Sequence, residues 1–300
     1  MSDVFKQSYR LGRQIGRGCY SAVFKCVSIA SRESYAVKII EKSKLTTPSD
    51  RRCLETEAKL TSIAAAGNPG AVQLHDVFED DDALYLVLDF CPGPDLLDMM
   101  YYGAPLPESK TAAIAIDLME IIAACHRNGV AHRDVSPTNI LFDSDCRLRL
   151  ADFGSAEAFE NGGRPLEGTV GIPLYMAPEM IAGEGHSEKV DVWSAGVVLY
   201  VLLGRQTPFS GITDEQTLHA VRTQDLQFPP ETFPSLSPEA KDLITKMLTK
   251  DPTMRLTAEE VLGHPWIVTT KKNRGSSRLE EELEETFNML CHGYKVWCFN

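Results

Sequence analysis

Four polar side chains and one glycine-rich hairpin carry the chemistry expected of this sequence. Asp134 lies five residues before Asn139 in HRDVSPTNILF, and Asp152-Phe153-Gly154 begins thirteen residues after Asn139. Lys38 stands in Ala36-Val37-Lys38, one predicted strand beyond Gly16-Arg17-Gly18-Cys19-Tyr20-Ser21-Ala22-Val23. Glycine lets a backbone approach phosphate oxygens closely and turn its N–H groups toward them. Phosphoryl transfer from a nucleotide needs a carboxylate to orient the acceptor hydroxyl, oxygen ligands for magnesium and a cation on the phosphates. Asp134, Asn139, Asp152 and Lys38 supply that set. Singly, a glycine-rich hairpin or a strand lysine is ordinary; together with the carboxylates they are not. A further landmark, Ala177-Pro178-Glu179, starts twenty-five residues after Asp152.

These side chains must be brought together by two differently built halves. Residues 1–91 read as strands with one helix: LGRQIG, AVFKCVSI and ESYAVKII are broken by Gly and Ser, and AVQLHDVFED and DALYLVLDF follow. Between these groups, SDRRCLETEAKLTSIAAAG reads as a helix ending on Gly67. After the Pro/Gly knot CPGPD, residues 92–268 are mainly helical, in SKTAAIAIDLMEIIAACHRNG, VDVWSAGVVLYVLLG, SPEAKDLITKMLTK and TAEEVLGHPW. The expected fold class is α+β, a strand-rich lobe and a helical lobe with a cleft between them. Residues 269–300 read as an extension: a linker, KKNRGSSR, then a short helix with Leu279, Leu283, Phe287 and Leu290 at helical spacing. No internal repeat is present.

Composition narrows the partners. With 43% apolar and 24% charged residues the chain falls among ordinary globular proteins. Its 42 acidic against 30 basic residues give a net charge of -12, which argues against nucleic acid and anionic membranes as partners. The start, MSDVFKQSYRLGRQ, has neither a signal nor a transit pattern. The longest apolar run, Val192–Leu203, has twelve residues against the about 20 of a membrane span, so a buried helix is expected. Eight singly spaced cysteines with no C-x-x-C pair point to a reducing compartment, the cytoplasm, and to thiols acting as small core residues. Cys19, in the hairpin, is either redox-sensitive or merely tolerated there.

The ordered motifs, over about residues 9–267, resemble the eukaryotic protein kinase catalytic domain. The resemblance implies a two-lobed fold with ATP and Mg2+ in the cleft. Asp134 then orients the substrate hydroxyl, Lys38 contacts the α- and β-phosphates and pairs with Glu57 rather than Glu55, and Asn139 and Asp152 hold magnesium. ATP is expected against Ile15, Gly16, Gly18, Ser21 and Val23, with Val23, Ala36 and Leu141 sandwiching adenine. Backbone groups of Asp89 and Cys91 read its edge, Leu88 lies behind, and Asp95 meets the ribose and the incoming peptide. Glu179 paired with Arg255, Asp191 bracing the catalytic loop and His132 packed in the core are structural counterparts.

RRCLETEAKL, LRLADFGSAE, EKVDVWSAGVVLY, FPPETFPSLSPEAKDLITKML and HPWIV are most similar to the plant phosphoenolpyruvate carboxylase kinases, nearly bare catalytic domains of the calcium/calmodulin-type group. That resemblance implies a calcium-independent monomer acting on a serine near the N-terminus of phosphoenolpyruvate carboxylase, relieving its inhibition by malate. No D-x-D-x-D-G calcium loop occurs, and a calcium-dependent kinase is expected to carry a regulatory extension. The intact Ala-Pro-Glu segment argues against a small-molecule kinase. Gly168 falls where many relatives carry a phosphorylated threonine, and Glu167 beside it is expected to give Arg133 a fixed negative charge.

Four positions depart from the family pattern. The third glycine of the hairpin is Ser21, Thr138 stands where many kinases that prefer basic substrates have a second carboxylate, the lysine two residues after the catalytic aspartate is Ser136, and the threonine of the G-T-P segment is Ile172. Losing a cation near the γ-phosphate costs on the order of 2–4 kcal/mol, or roughly 10²–10³ in rate. Two readings follow: a working, slowed protein-serine/threonine kinase, or a nucleotide-binding pseudokinase serving as an interaction module.

Overall fold

Alternation of apolar and polar residues builds one antiparallel sheet from the first lobe's strands in the computed structural model, which describes residues 2–18, 20–46, 48–102, 106–160 and 162–273. The strands are β1 (Tyr9–Arg17), β2 (Ser21–Ser28), β3 (Ser34–Glu41), β4 (Leu74–Glu79) and β5 (Ala83–Asp89), in spatial order β1-β2-β3-β5-β4. A short helix, α1 (Asp3–Ser8), precedes them, and its Phe5 is fully buried against the sheet. The Phe5 ring stacks on Tyr9 and Tyr85 at 5.6 and 5.5 Å and meets Phe78 edge-on at 5.7 Å. Helix α2 (Pro48–Ala65) joins β3 to β4.

Beyond β5 come α3 (Leu96–Tyr102), α4 (Glu108–Arg127) and two small antiparallel strand pairs. Strand β6 (Val130–Ala131) pairs with β9 (Glu157–Ala158), and β7 (Ile140–Phe142) pairs with β8 (Leu148–Leu150). The rest is helical: α5 (Pro178–Ile181), α6 (Lys189–Gly204), α7 (Asp214–Thr223), α8 (Pro238–Met247), α9 (Ala258–Leu262) and α10 (Pro265–Asn273). Helix α6 contains the long apolar run and is buried on every side, as an all-round apolar helix must be. A side chain at Gly196 would come within 3.0 Å of Met247 and Leu248, so the glycine sets how closely α8 approaches. Among the described residues no helix is long and apolar enough to cross a membrane.

The last turns of α2 belong to the helical lobe. Leu60, Ala64 and Ala65 join the apolar core built by α4 and α6. Asn68, itself buried, donates through Nδ2 to the carbonyls of Ala64 and Ile121 at 3.1 Å each. Asn128 Nδ2 reaches back to the Ala66 carbonyl at 2.8 Å. The helix carrying Glu57 is thus fixed at one end by the lobe below the cleft.

Several elements differ from the sequence pattern. TAEEVLGHPW is two helices, because Gly263 caps α9 and Pro265 opens α10. Helix α10 crosses the expected boundary at 268 and continues to Asn273, while the helix expected around Leu279–Leu290 lies outside the described residues. Helices α1, α3 and α7 are too short or too polar to announce themselves by periodicity, though Thr213 caps α7 through the Gln216 N–H.

Phe5→Ala is expected to cost about 3–5 kcal/mol of stability, the usual loss for a fully buried phenyl ring. Urea unfolding followed by tryptophan fluorescence and far-UV circular dichroism measures it.

Candidate active site

Strand β3 and helix α2 place an ammonium among carboxylates. Lys38 Nζ lies 2.6 Å from Glu57 Oε1 and 2.8 Å from Asp152 Oδ1. Burial alone would lower the Lys38 pKa, but the charges of Asp152 and Glu57 raise it above the ordinary lysine value, so the ammonium is retained. Burial raises the Glu57 carboxyl against the pull of Lys38. Asp152 is desolvated on its protein side, yet the Lys38 charge and hydrogen bond hold its carboxyl below the ordinary aspartate value. Its side chain remains 46% exposed to the cleft. Gly154 leaves room for the trio: a Cβ there would sit 3.0 Å from Asp152 Oδ1, 3.2 Å from Glu57 Oε2 and 3.3 Å from Lys38 Nζ.

Asp152 takes a left-handed backbone (φ 64°), which sends the next residue inward. Phe153 is buried with its ring 4.8 Å from that of His132. Both nitrogens of the His132 ring are committed to structure: Nε2 lies 2.9 Å from the Ala151 carbonyl, and the Asp134 N–H donates to Nδ1 at 3.2 Å. Asp191, fully buried, accepts the N–H groups of His132 and Arg133 at 2.8 and 2.7 Å, and its Oδ2 lies 2.8 Å from His126 Nε2. The loop bearing Asp134 is held from beneath.

Asn139 Nδ2 donates to the Asp134 carbonyl at 2.8 Å and to its Oδ2 at 3.1 Å. That leaves the Asn139 amide oxygen, a hard donor, to pair with the Asp152 carboxylate on a cation. Asp134 Oδ1 is buried and receives no well-formed hydrogen bond, although the Ile172 N–H lies close enough to the carboxylate to favour its charged form. Burial raises the Asp134 carboxyl above the ordinary aspartate value, against the opposing pull of His132. One ammonium shared by two carboxylates, with oxygen donors alongside, fits magnesium and a polyphosphate.

On the nucleotide side, β1 and β2 bring Gly16 opposite Val23, and the Gly18 N–H donates to the Ser21 carbonyl at 2.9 Å. A Cβ on Gly18 would lie 2.8 Å from Ser21 Oγ, so the bare glycine is what accommodates serine as the third residue of the pattern. Ile15 is partly exposed on β1. Ala36 is buried and pairs across the sheet with Leu88, while Val23 and Leu141 are half-buried. A backbone bridge joins Asp95 to Leu141, and Asp95 Oδ1 caps α3 through the Asp98 N–H at 2.8 Å. Asp89 is tied to β4: its carboxylate accepts the Gln73 N–H at 3.1 Å and lies 2.7 Å from His75 Nε2. Burial pushes the Cys91 thiol up to about 12 and Cys26 to about 11, so neither is a ready nucleophile. Cys19 lies outside the described residues.

The protein kinase domain profile matches residues 9–267. The chain belongs to the protein kinase domain family. Its relatives include calcium-dependent protein kinase 22 of Oryza sativa subsp. japonica, 38% identical over 88% of this chain and 46% of that protein. Serine/threonine-protein kinase PEPKR2 of Arabidopsis thaliana is 40% identical over 87% of this chain and 53% of its own length. The kinase chain therefore spans about half the length of these relatives.

In this kinase domain the Ala-Pro-Glu glutamate is structural. Arg255 Nη1 and Nη2 meet the two Glu179 oxygens at 2.6 and 2.9 Å, with the guanidinium carbon 5.0 Å from the Trp193 ring. The expected ion pair between Arg133 and Glu167 is not the one formed. Arg133 Nη1 lies 2.6 Å from Glu157 Oε2, while Glu167 contributes its main-chain carbonyl at 2.7 Å and its residue is exposed. Sequence proximity to Gly168 pointed to Glu167, but pairing with β6 carries Glu157 of β9 to the arginine.

Ser136 is fully buried, its hydroxyl 2.9 Å from that of Thr138, and Ile172 is 40% exposed. A hydroxyl pair and apolar surface thus stand at the two positions where the sequence resemblance leads one to expect a lysine and a threonine. Gly171, which sequence reasoning passed over, has φ 93°, and a Cβ there would lie 3.0 Å from Asp134 Oδ1 and 3.1 Å from the Arg133 carbonyl. Its place just before Ile172-Pro173 was the available signal.

Gly171→Ala is expected to lower kcat by about 10²-fold through displacement of Asp134 while leaving nucleotide affinity within about threefold. Steady-state kinetics beside calorimetric ATP titration separates the two.

Proposed function

We propose that this chain is a protein-serine/threonine kinase that transfers the ATP γ-phosphate to a protein serine, with phosphoenolpyruvate carboxylase as the acceptor. The observation that carries the reading is Lys38 held between Glu57 and Asp152, in the same site as the Asp134–Asn139 pair. The retained ammonium neutralises phosphate charge, Glu57 and Asp152 fix where it stands, and Asn139 and Asp152 offer oxygens to magnesium. When bound, magnesium supplies charge neutralisation as the phosphoryl group moves. Asp134 Oδ1 aligns the acceptor hydroxyl and takes its proton. The carboxylase as acceptor is supported by sequence resemblance alone, while serine/threonine specificity is also supported by the similarity to a serine/threonine-protein kinase. The net charge supports a monomer, and the free thiols of Cys26, Cys91, Cys125 and Cys146 support the cytoplasm as its place of action.

Ser136 and Ile172 favour a second reading, a nucleotide-binding pseudokinase acting as an interaction module. Labelled ATP, magnesium and phosphoenolpyruvate carboxylase, incubated with the wild type and with Asp134→Asn, separate the two. Transfer abolished by Asp134→Asn is expected; silence from both with ATP still bound would establish the module instead. Ser136→Lys with Ile172→Thr should raise the rate by up to about 10²-fold, more than the product of the single effects. Simple additivity would show that the two positions act independently.

Transfer also requires ionised Asp134. Because its carboxyl is raised in the fold, the acid limb of kcat is expected above the ordinary aspartate value of about 3.9, with the rate rising as pH increases through it. A pH–rate profile at saturating ATP locates that limb.

A further inference from the structure

Among the described residues, Ile212 is the most exposed large apolar side chain, at 97%. It stands in the short connection between Phe209 and α7, and that connection is tied down along its length. Phe209 is buried and stacks on Trp193 at 5.6 Å, which fixes the loop at its start. The Gly211 N–H donates to Thr217 Oγ1 at 3.1 Å, and the Ile212 N–H to Gln216 Oε1 at 2.8 Å. Thr213 caps α7 by accepting the Gln216 N–H at 3.3 Å. A Cβ on Gly211 would lie 2.3 Å from the Gln216 Cβ and 2.7 Å from the Thr217 nitrogen, so the loop lies flat on the first turn. The isoleucine is held outward on a backbone bonded at each residue from 211 to 213.

A single exposed apolar side chain needs no explanation by itself. This one adjoins a recess of about 580 Å³ lined by Gly211, Glu215, Gln216, His219 and Gln224. Asp214 and Glu215 are exposed beside it, and residues 206–221 contain no lysine or arginine. Two carboxylates exceed the roughly half charge of a helix N-terminus, so this end of α7 is net negative. At the other end, Lys250 donates to the carbonyls of Arg222 and Gln224 at 3.2 and 2.5 Å. Helix α7 packs against the turn Pro173–Tyr175, which directly follows Ile172 beside Asp134. The surface therefore lies on the acceptor side of the site.

We propose, on the kinase reading given above, that the Ile212 loop and its recess form a docking surface for the acceptor protein. They grip it outside its phosphorylated stretch, at a bulky apolar side chain next to a lysine or arginine. Ile212 is an anchor already in its bound geometry, which reduces the ordering cost of contact, and Asp214 and Glu215 meet the cation. A second copy of this chain is a poor occupant. A net charge of -12 repels its like, and a two-fold contact would set Asp214 and Glu215 against their own counterparts.

Random peptides displayed on phage, selected on the wild-type chain and counter-selected on Ile212→Asp, test the chemistry of the surface. Enriched peptides are expected to share an apolar residue beside Lys or Arg, and to bind Ile212→Asp and Glu215→Lys about 10-fold or more weakly. Val77→Ser, which removes an exposed apolar residue from β4 in the other lobe, should bind them as the wild type does. In transfer assays Ile212→Asp should raise KM for intact phosphoenolpyruvate carboxylase about 10-fold with kcat unchanged. A short peptide carrying only the acceptor serine should show no such change. Thermal unfolding checks that the variants are folded, as exposed substitutions allow. No selected peptide depending on Ile212, an acidic consensus, or an unchanged KM for the carboxylase would each overturn the proposal. So would a wild-type dimer that Ile212→Asp disperses in sedimentation, which would give the surface to a second copy. If the wild type binds ATP but transfers nothing, the kinase reading fails by itself. The peptide selection then still decides what the surface holds.

Discussion

Two negative side chains competing for one positive charge organise this molecule. Lys38 comes from a strand, Glu57 from a helix and Asp152 from a turn after β8, and their atoms meet within 2.8 Å. Each carboxylate would be costly to desolvate alone, and an unpaired buried ammonium more so. The trio therefore forms only when sheet, helix and turn are all in place. An excess of negative charge remains at the cleft, which is what a site for magnesium requires.

Supports around this trio are themselves polar and satisfied. Asp191 takes three hydrogen bonds beneath the loop of Asp134, Glu179 and Arg255 close bidentately in the second lobe, and both nitrogens of His132 have partners. Complete pairing of buried polar groups rigidifies a core. Among the described residues, buried atoms without a partner remain at Thr111, His186 and Trp193, and at Asp134 Oδ1, where chemistry is expected.

The α+β class and the separation into a sheet and a helical lobe were legible in the sequence because strand alternation and helical periodicity each persist over many residues. The chemical set was legible for a different reason: phosphate chemistry tolerates few residue types, so Lys38, Asp134, Asn139 and Asp152 stand out at fixed spacings. Contacts decided by tertiary approach were not. Glu157 and Glu167 are both acidic residues of one segment, and only strand pairing determines which carboxylate meets Arg133. The burial of Ser136 against Thr138 likewise follows from a loop turning in on itself. Helix α1 is too short for a periodic signal, and its Phe5 makes sense only once Tyr9, Phe78 and Tyr85 converge.

Anchoring of α2 gives the cleft a built-in gauge. Glu57 stands three residues before Leu60, roughly 4.5 Å along the helix axis from the first α2 side chain embedded in the apolar core of the helical lobe. Over so short an arm a tilt of about 10° would move the carboxylate by less than about 1 Å. Its 2.6 Å contact with Lys38 is therefore a measure of where the sheet stands against the helical lobe.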